Sequence, residues 1–318
     1  MLQILELFGG IGSPRVALRN LGIPVKAIDY VEIDEKAVRS YNAMFENELE
    51  YKTQSVVGWN LKPDILIHGS PCQDFSIAGK QKGADEGTET RSSLMWETIN
   101  IIKQMGVWKP KIVIWENVKN VLSKHMVHNF NRYLDEMEGM GYTSSFEVLN
   151  AMDFGLPQNR NRVFTISILG GSNFDFSKLE KHPMKNIKEF LEDNVSDEYL
   201  VTQPSVLNAI GKKGIKRATI IKDYCYTITE RQDRCPAQVI KIDDNKYRYL
   251  TDKECWLLQG YSEEDFYNAA KVNTKRTLYR QAGNSIPVPI FESIFKQLLI
   301  NKQLKEEFFG GDYMNYKY

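Results

Sequence analysis

The sequence predicts an α/β fold: a doubly wound, mostly parallel sheet joined to a second, smaller domain. Three observations lead there. Apolar runs of strand length alternate with amphipathic runs of helix length through residues 2–116. Glycines, acids and a cysteine stand where those apolar runs end. And 318 residues with 42% hydrophobic content suffice for two compact domains and a sizeable core.

In chain order, Leu2 to Phe8 is an apolar run broken only by Gln3 and Glu6, the pattern of a buried strand. It ends in GGIGS. Ser13 is expected to cap the helix that follows, Pro14 suits its first turn and Gly22 stops it, so RVALRNLG reads as helix. Next come KAIDYVEID (strand), EKAVRSYNAMF (helix), PDILIHG (strand), SLMWETINIIKQM (helix) and KIVIWEN (strand). That alternation implies parallel strands with helical crossovers. Such sheets hold ligands at the carboxyl ends of their strands, where residues 9–12, Glu32, Cys72 and Glu116 all fall.

Composition narrows the classes. Formal net charge is zero, from 41 basic and 41 acidic residues, so any attraction for a polyanion must be local. Residues 212–234 and 271–280 are locally basic. Such runs are ordinarily solvated surface, but Tyr224, Tyr226 and Gln232 within the first favour a polynucleotide surface. No apolar run approaches bilayer length and the start lacks a secretory signal, so a cytoplasmic protein without membrane contact is expected. Cys72, Cys225, Cys235 and Cys255 form no CxxC pair, and with four scattered histidines they offer no metal-ligand cluster.

Chemistry enters at the strand ends. The GGIG turn lets backbone N–H groups approach a ligand, and Glu32 can accept from ribose hydroxyls, which points to a nucleoside-containing cofactor. A ligand-free tight turn is the alternative, because Arg15 stands where the dinucleotide fingerprint needs its third glycine. A cytosolic cysteine is commonly a small buried hydrophobe. Cys72, however, follows a strand end and precedes SIAGKQKGADEGTETR, a glycine-bearing stretch suited to closing over a substrate. Glu116 brings a carboxylic acid to the same edge, where a cleft environment would raise its pKa; a surface acid or a capping residue of ENVKN is the alternative. In FGLPQNRNRVFTISIL, Arg160 and Arg162 alternate on an extended segment. Both guanidiniums are then expected to face one site and hold a carbonyl oxygen or phosphate, unless they lie on an exposed edge strand.

Together these motifs resemble those of the DNA (cytosine-5) methyltransferase family, over residues 1–168 and about 249–295. FGGIG resembles its S-adenosylmethionine turn, GSPCQDFS its nucleophile loop, ENV its glutamate motif and QNRNR its paired-arginine motif. YLTDKECWLLQGY and YRQAGNSIPVPI resemble the two motifs that close the chain. The resemblance implies a Rossmann-like methyltransferase domain over residues 1–169, completed by 279–318, with a target-recognition domain over 170–278. It implies S-adenosylmethionine as donor, S-adenosylhomocysteine as product and double-stranded DNA as substrate.

Residue by residue, it implies that Cys72 adds to cytosine C6 so that C5 can attack the methyl group. Glu116 would hold N3 and the exocyclic amine, and Arg162, with Arg160 close by, the O2 carbonyl. The base must be flipped out of its duplex. Phe8, Gly9, Gly10 and Gly12 would line the methionine and ribose, Glu32 the ribose hydroxyls and Ile33 the adenine. Pro71, Asn284 and Ser285 would complete that pocket. The family's Gly-Asp pair on the third strand is replaced by QSVVGWN, so adenine recognition is expected to rest on backbone groups. DNA contacts are expected from Gln73, Ser76, Lys80, Lys82 and Arg91 in the loop. Base reading is expected from Arg231, Gln232 and Arg234 in DYCYTITERQDR.

Three rivals stay open at this point: a tRNA cytosine-5 methyltransferase, a catalytically idle DNA-binding regulator of the same fold, and a nicotinamide oxidoreductase. A monomer is expected, since one protomer per target base suffices. A cognate restriction endonuclease is expected only as a functional partner, not a physical one.

Overall fold

A computed structural model describes residues 2–46, 49–57, 62–70, 94–171, 173–210, 212, 218–232 and 237–300. The predicted alternation is present: β1 (Leu2–Leu7), α1 (Ser13–Asn20), β2 (Val25–Val31), α2 (Glu35–Met44), β3 (Ile65–His68), α3 (Met95–Gln104) and β4 (Ile112–Val118). Then follow α4 (Val127–Gly139), β5 (Tyr142–Asn150), the short β6 (Gln158–Asn159) and β7 (Asn161–Leu169). Six strands make one sheet in the order β2-β1-β3-β4-β7-β5, parallel from β2 to β4 and antiparallel at β7 and β5.

The apolar runs serve as central strands because both sheet faces are covered. Ile65, Ile67, Ile112 and Ile114 join one core with α1 and α2, whereas Leu66, Val113 and Trp115 join a second core with α3 and α4. Successive residues that are apolar on both sides are what a three-layer sandwich demands. From β1 the chain pairs β2 on one side and later β3 on the other. The cleft beyond the ends of β1 and β3 is therefore the switch point at which such sheets hold ligands.

Ser13 is not the expected cap. Gly12 takes that place at φ 77°, the helix starts at Ser13, and the Ser13 hydroxyl lies 2.6 Å from that of Tyr261. A Cβ on Gly12 would stand 2.5 Å from the Tyr41 ring. Left-handed backbone and close packing thus both call for glycine there.

Beyond β7 come α5 (Pro204–Leu207), β8 (Ala218–Ile220), β9 (Cys225–Tyr226), β10 (Ala237–Lys241) and β11 (Tyr247–Tyr249). Strands β11, β10 and β8 form a small sheet over a separate core of Val201, Val206, Ala237, Val239 and Tyr249, while β9 pairs in parallel with β6. The helices α6 (Asp252–Leu257), α7 (Glu263–Ala270), α8 (Lys275–Asn284) and α9 (Val288–Phe295) follow. Their Trp256, Phe266, Leu278 and Phe291 belong to the larger core. The span 170–278, expected as one recognition domain, therefore divides. Strands β8, β10 and β11 form the small unit, but β9, α6, α7 and the start of α8 pack into the main body, where their Cys225, Trp256, Phe266 and Leu278 are buried. Among the described residues, no helix is long and apolar enough to cross a membrane.

Candidate active site

The glycine turn starts with strain. Phe8 has φ 55°, in the left-handed region that bulky residues seldom enter. Gly9 follows because nothing larger fits: a Cβ there would stand 2.6 Å from the Tyr30 ring. Gly10, at φ 54°, donates its N–H to Glu32 Oε2 at 3.0 Å. The other carboxylate oxygen of Glu32 accepts the N–H groups of Ile33 and Asp34, each at 2.8 Å. Burial raises the Glu32 pKa and outweighs the lowering by those three backbone donors. Ile33 is 74% exposed beside it, an apolar side chain left for a planar ligand to cover. Asn284 and Ser285 line the same cleft as Phe8, Gly9 and Gly10.

Glu6 was not among the expected site residues. It is 1% exposed, lines the cleft, and neither of its carboxylate oxygens has a hydrogen-bond partner among the described residues. Burial pushes its pKa up to about 8, against a lowering influence from Arg15. A signal existed in the sequence: an acid inside the buried strand LQILEL is costly unless something pairs with it. Glycines that give the backbone room, an acceptor at Glu32, apolar cover at Ile33 and a buried Glu6 carboxyl that a nearby cation would ionise suit a nucleoside ligand that carries an ammonium group.

The next residues come from the antiparallel edge. Register places Arg162 of β7 opposite Val118 of β4, so Arg162 shares a sheet face with Glu116, two residues from Val118. Arg162 Nε lies 3.1 Å from Glu116 Oε1, and both side chains are largely buried. Burial raises the Glu116 pKa more than Arg162 and Arg160 lower it. Glu116 is therefore neither a surface acid nor a cap. It lines the same cleft as the glycine turn, and a Cβ on Gly69 would lie 3.8 Å from its Oε2. An acid so placed can keep a proton for a ring nitrogen while the adjacent guanidinium faces a carbonyl oxygen.

Arg160 does not join that pair as a second ligand-facing arginine. It is 2% exposed, and its guanidinium donates to the carbonyls of Ile228 (2.9 Å), Gly283 (2.9 Å) and Ser285 (2.7 Å). The expected alternation fails because the extended segment breaks at this residue. The Arg160 N–H closes a tight turn onto the Gln158 carbonyl at 2.9 Å, between the end of β6 and the start of β7. Gln232, expected to read bases, is 5% exposed and donates its amide inward to the Thr229 carbonyl at 3.2 Å. Arg231 is half-buried next to it. Of QSVVGWN, residues 54–57 are irregular rather than part of the third strand, and the Gln54 N–H bonds the Glu32 carbonyl at 2.8 Å. Residues 58–60, with Pro71, Cys72, Gln73, Ser76, Lys80, Lys82, Arg91 and Arg234, lie outside the described residues.

A doubly wound sheet with a strained glycine turn and a glutamate–arginine pair at one edge defines a Rossmann-like methyltransferase. Solved structures share the fold. The S. pombe Dnmt2 methyltransferase aligns with a TM-score of 0.75 at 22% identity, over 94% of this chain and 99% of its own. A putative DNA modification methyltransferase from an E. coli prophage aligns with a TM-score of 0.70 at 18% identity, over 94% and 99%. The chain belongs to the C-5 cytosine-specific DNA methylase family, whose model matches residues 2–299, and it is a DNA (cytosine-5) methyltransferase. Its relatives include the type II methyltransferase M2.ScrFI of Lactococcus lactis subsp. cremoris, 33% identical over 94% of this chain and 99% of that protein. Another is the type II methyltransferase M.Bsp6I of Bacillus sp. (strain RFL6), 30% identical over 94% and 100%.

Proposed function

We propose that the protein methylates C5 of a flipped-out cytosine within a specific duplex DNA sequence, using S-adenosylmethionine as donor and Cys72 as nucleophile. The observation that carries this reading is the buried Glu116–Arg162 pair, whose Glu116 lines one cleft with the glycine turn. When bound, the donor supplies an electrophilic methyl group. Glu32 would accept from its ribose hydroxyls, Ile33 would cover its adenine, and Glu6 would face its ammonium. Asn284 and Ser285 would close the pocket.

The chemistry follows from the weakness of cytosine C5 as a nucleophile. The Cys72 thiolate adds to C6, and the electron pair of the C5–C6 double bond makes C5 an enamine carbon. Glu116 would hold its proton against N3 and contact the exocyclic amine while Arg162 donates to O2, both acting where negative charge builds up. The C5 electron pair would take the methyl group from the donor's sulfonium, breaking the sulfur–methyl bond and leaving the neutral thioether S-adenosylhomocysteine. Loss of the C5 proton to water then returns the electron pair and expels Cys72.

Flipping costs a few kcal/mol of stacking, which the loop over residues 73–91, with Lys80 and Lys82 on phosphates, would offset. Sequence reading would fall to the small unit and to Arg231 and Arg234. The type II names of two relatives favour a companion restriction endonuclease, and a cytoplasmic monomer would suffice. Labelled methyl from S-adenosylmethionine should appear as 5-methylcytosine in DNA and not in tRNA. Cys72→Ser should abolish transfer yet still bind DNA and donor. Label confined to tRNA, or near-normal turnover by Cys72→Ser, would overturn the reading.

A further inference from the structure

Residues 225–232 are strapped to the catalytic body as well as to the small sheet, where the Gln238 side chain of β10 accepts the Tyr226 N–H and donates to the Tyr226 carbonyl. Gln158 and Asn159 pair in parallel with Cys225 and Tyr226. Thr227 Oγ1 donates to the Asn159 carbonyl at 3.0 Å, and the Ile228 N–H donates to Gln158 Oε1 at 3.0 Å. Arg160 then donates to the Ile228 carbonyl. One residue further the strap lies on the end of α8. A Cβ on Gly283 would run into the backbone of Thr229 and Glu230, and Asn284 Nδ2 donates to Glu230 Oε1 at 3.1 Å. The guanidinium that holds Ile228 also holds the carbonyls of Gly283 and Ser285, and Ser285 and Asn284 line the cleft.

We propose that Arg160 is a positioning residue that couples two binding events. It keeps the DNA-facing strap in register with the donor-facing wall at residues 283–285, so that site discrimination and donor affinity fall together when the clasp loosens. The inference rests on the function proposed above. Its physical basis is the guanidinium's planar fork, which reaches three carbonyls from two chain segments; a lysine ammonium carries the same charge but not that geometry. Gly283 is the second half of the clasp, because only a residue without a side chain lets the strap backbone lie against α8.

The test uses the full-length protein with Arg160→Lys, Gly283→Ala and Glu230→Ala. S-adenosylhomocysteine affinity is measured by calorimetry without DNA, and the profile of methylated sites by bisulfite sequencing of a plasmid exposed to each variant. Arg160→Lys and Gly283→Ala should each bind S-adenosylhomocysteine about tenfold more weakly and methylate sites that the natural protein ignores. Glu230→Ala, at an exposed position, should shift both readouts the same way by about threefold. A purely structural role would lower the yield of folded protein and leave the site profile unchanged. Variants that keep both natural values, or that change one readout while the other stays put, overturn the inference alone. If the natural protein itself leaves no 5-methylcytosine, the functional reading fails and takes this inference with it.

Discussion

The five residues 158–162 hold two regions of the molecule by different physics. At one end Arg162 reaches Glu116 in a cleft where burial governs the acid's protonation. At the other, Gln158 and Arg160 grip the strap through hydrogen bonds to the Ile228 main chain, and the Asn159 carbonyl accepts from the Thr227 hydroxyl. The catalytic end leaves hydrogen-bonding capacity open toward the cleft. The strap end uses its capacity inside the protein. A motif that reads as one paired-arginine unit is thus two devices, and what separates them is where each side chain finds its partners.

The largest effect should come from breaking the catalytic end. Glu116→Gln keeps the shape but can neither lose a proton nor carry charge, and the rate of methyl transfer should fall about 10²–10³-fold in single-turnover assays, with donor affinity little changed. The raised pKa of Glu116 fixes the sign of the pH dependence. As pH rises through that value the acid loses the proton it holds against the ring. The natural protein should then show a decline in transfer rate with rising pH that Glu116→Gln lacks. An equal decline with rising pH in the variant would remove Glu116 from the proton-holding role.

The same contrast explains what could be read beforehand. Strands β3 and β4 were legible because burial on both faces writes uninterrupted apolar runs, as in Ile65 to Ile67 and Ile112 to Trp115, and β1 because only Gln3 and Glu6 break its run. Glu116 ends such a run, but unaided it reads as well as a surface acid or a cap, and its place in a site comes from the resemblance of ENV to the family's glutamate motif. Arg160 was not legible, because its partners are carbonyls of residues 68 to 125 positions away, and a carbonyl is the same atom in every residue. Nor was the placement of α6 and α7. Amphipathic spacing says that a face is buried, not against which core. Ser13 misled because a good capping side chain says nothing of Tyr261 at the far end of the chain.

Glu6 sharpens the comparison, being the ligand-side extreme: buried and without a partner among the described residues. Its carboxyl ionises near pH 4.5 when the chain is unfolded and near 8 in the fold. As pH rises the unfolded state releases its proton first, so stability is full below about 4.5, falls through that window and levels above about 8. Glu6→Gln should remove this slope. Its stability advantage should grow across the window to on the order of 5 kcal/mol, at the expense of donor affinity. A difference between the two proteins that stays constant from pH 5 to pH 8 would show that Glu6 does not titrate there.

The smallest effect is expected from the strap, where each contact is paired and few are charged. Thr227→Val preserves shape and deletes only the hydroxyl that donates to Asn159 at 3.0 Å. One neutral hydrogen bond contributes about 1 kcal/mol, and the neighbouring Gln158 and Arg160 contacts still hold Ile228. Urea denaturation should register that modest loss, and the profile of methylated sites should broaden slightly, while the rate at the preferred site should change far less than in Glu116→Gln. Should Thr227→Val instead cut the transfer rate as deeply as Glu116→Gln, the two ends of the 158–162 stretch would be one device after all, with the strap geometry setting the position of the Glu116–Arg162 pair.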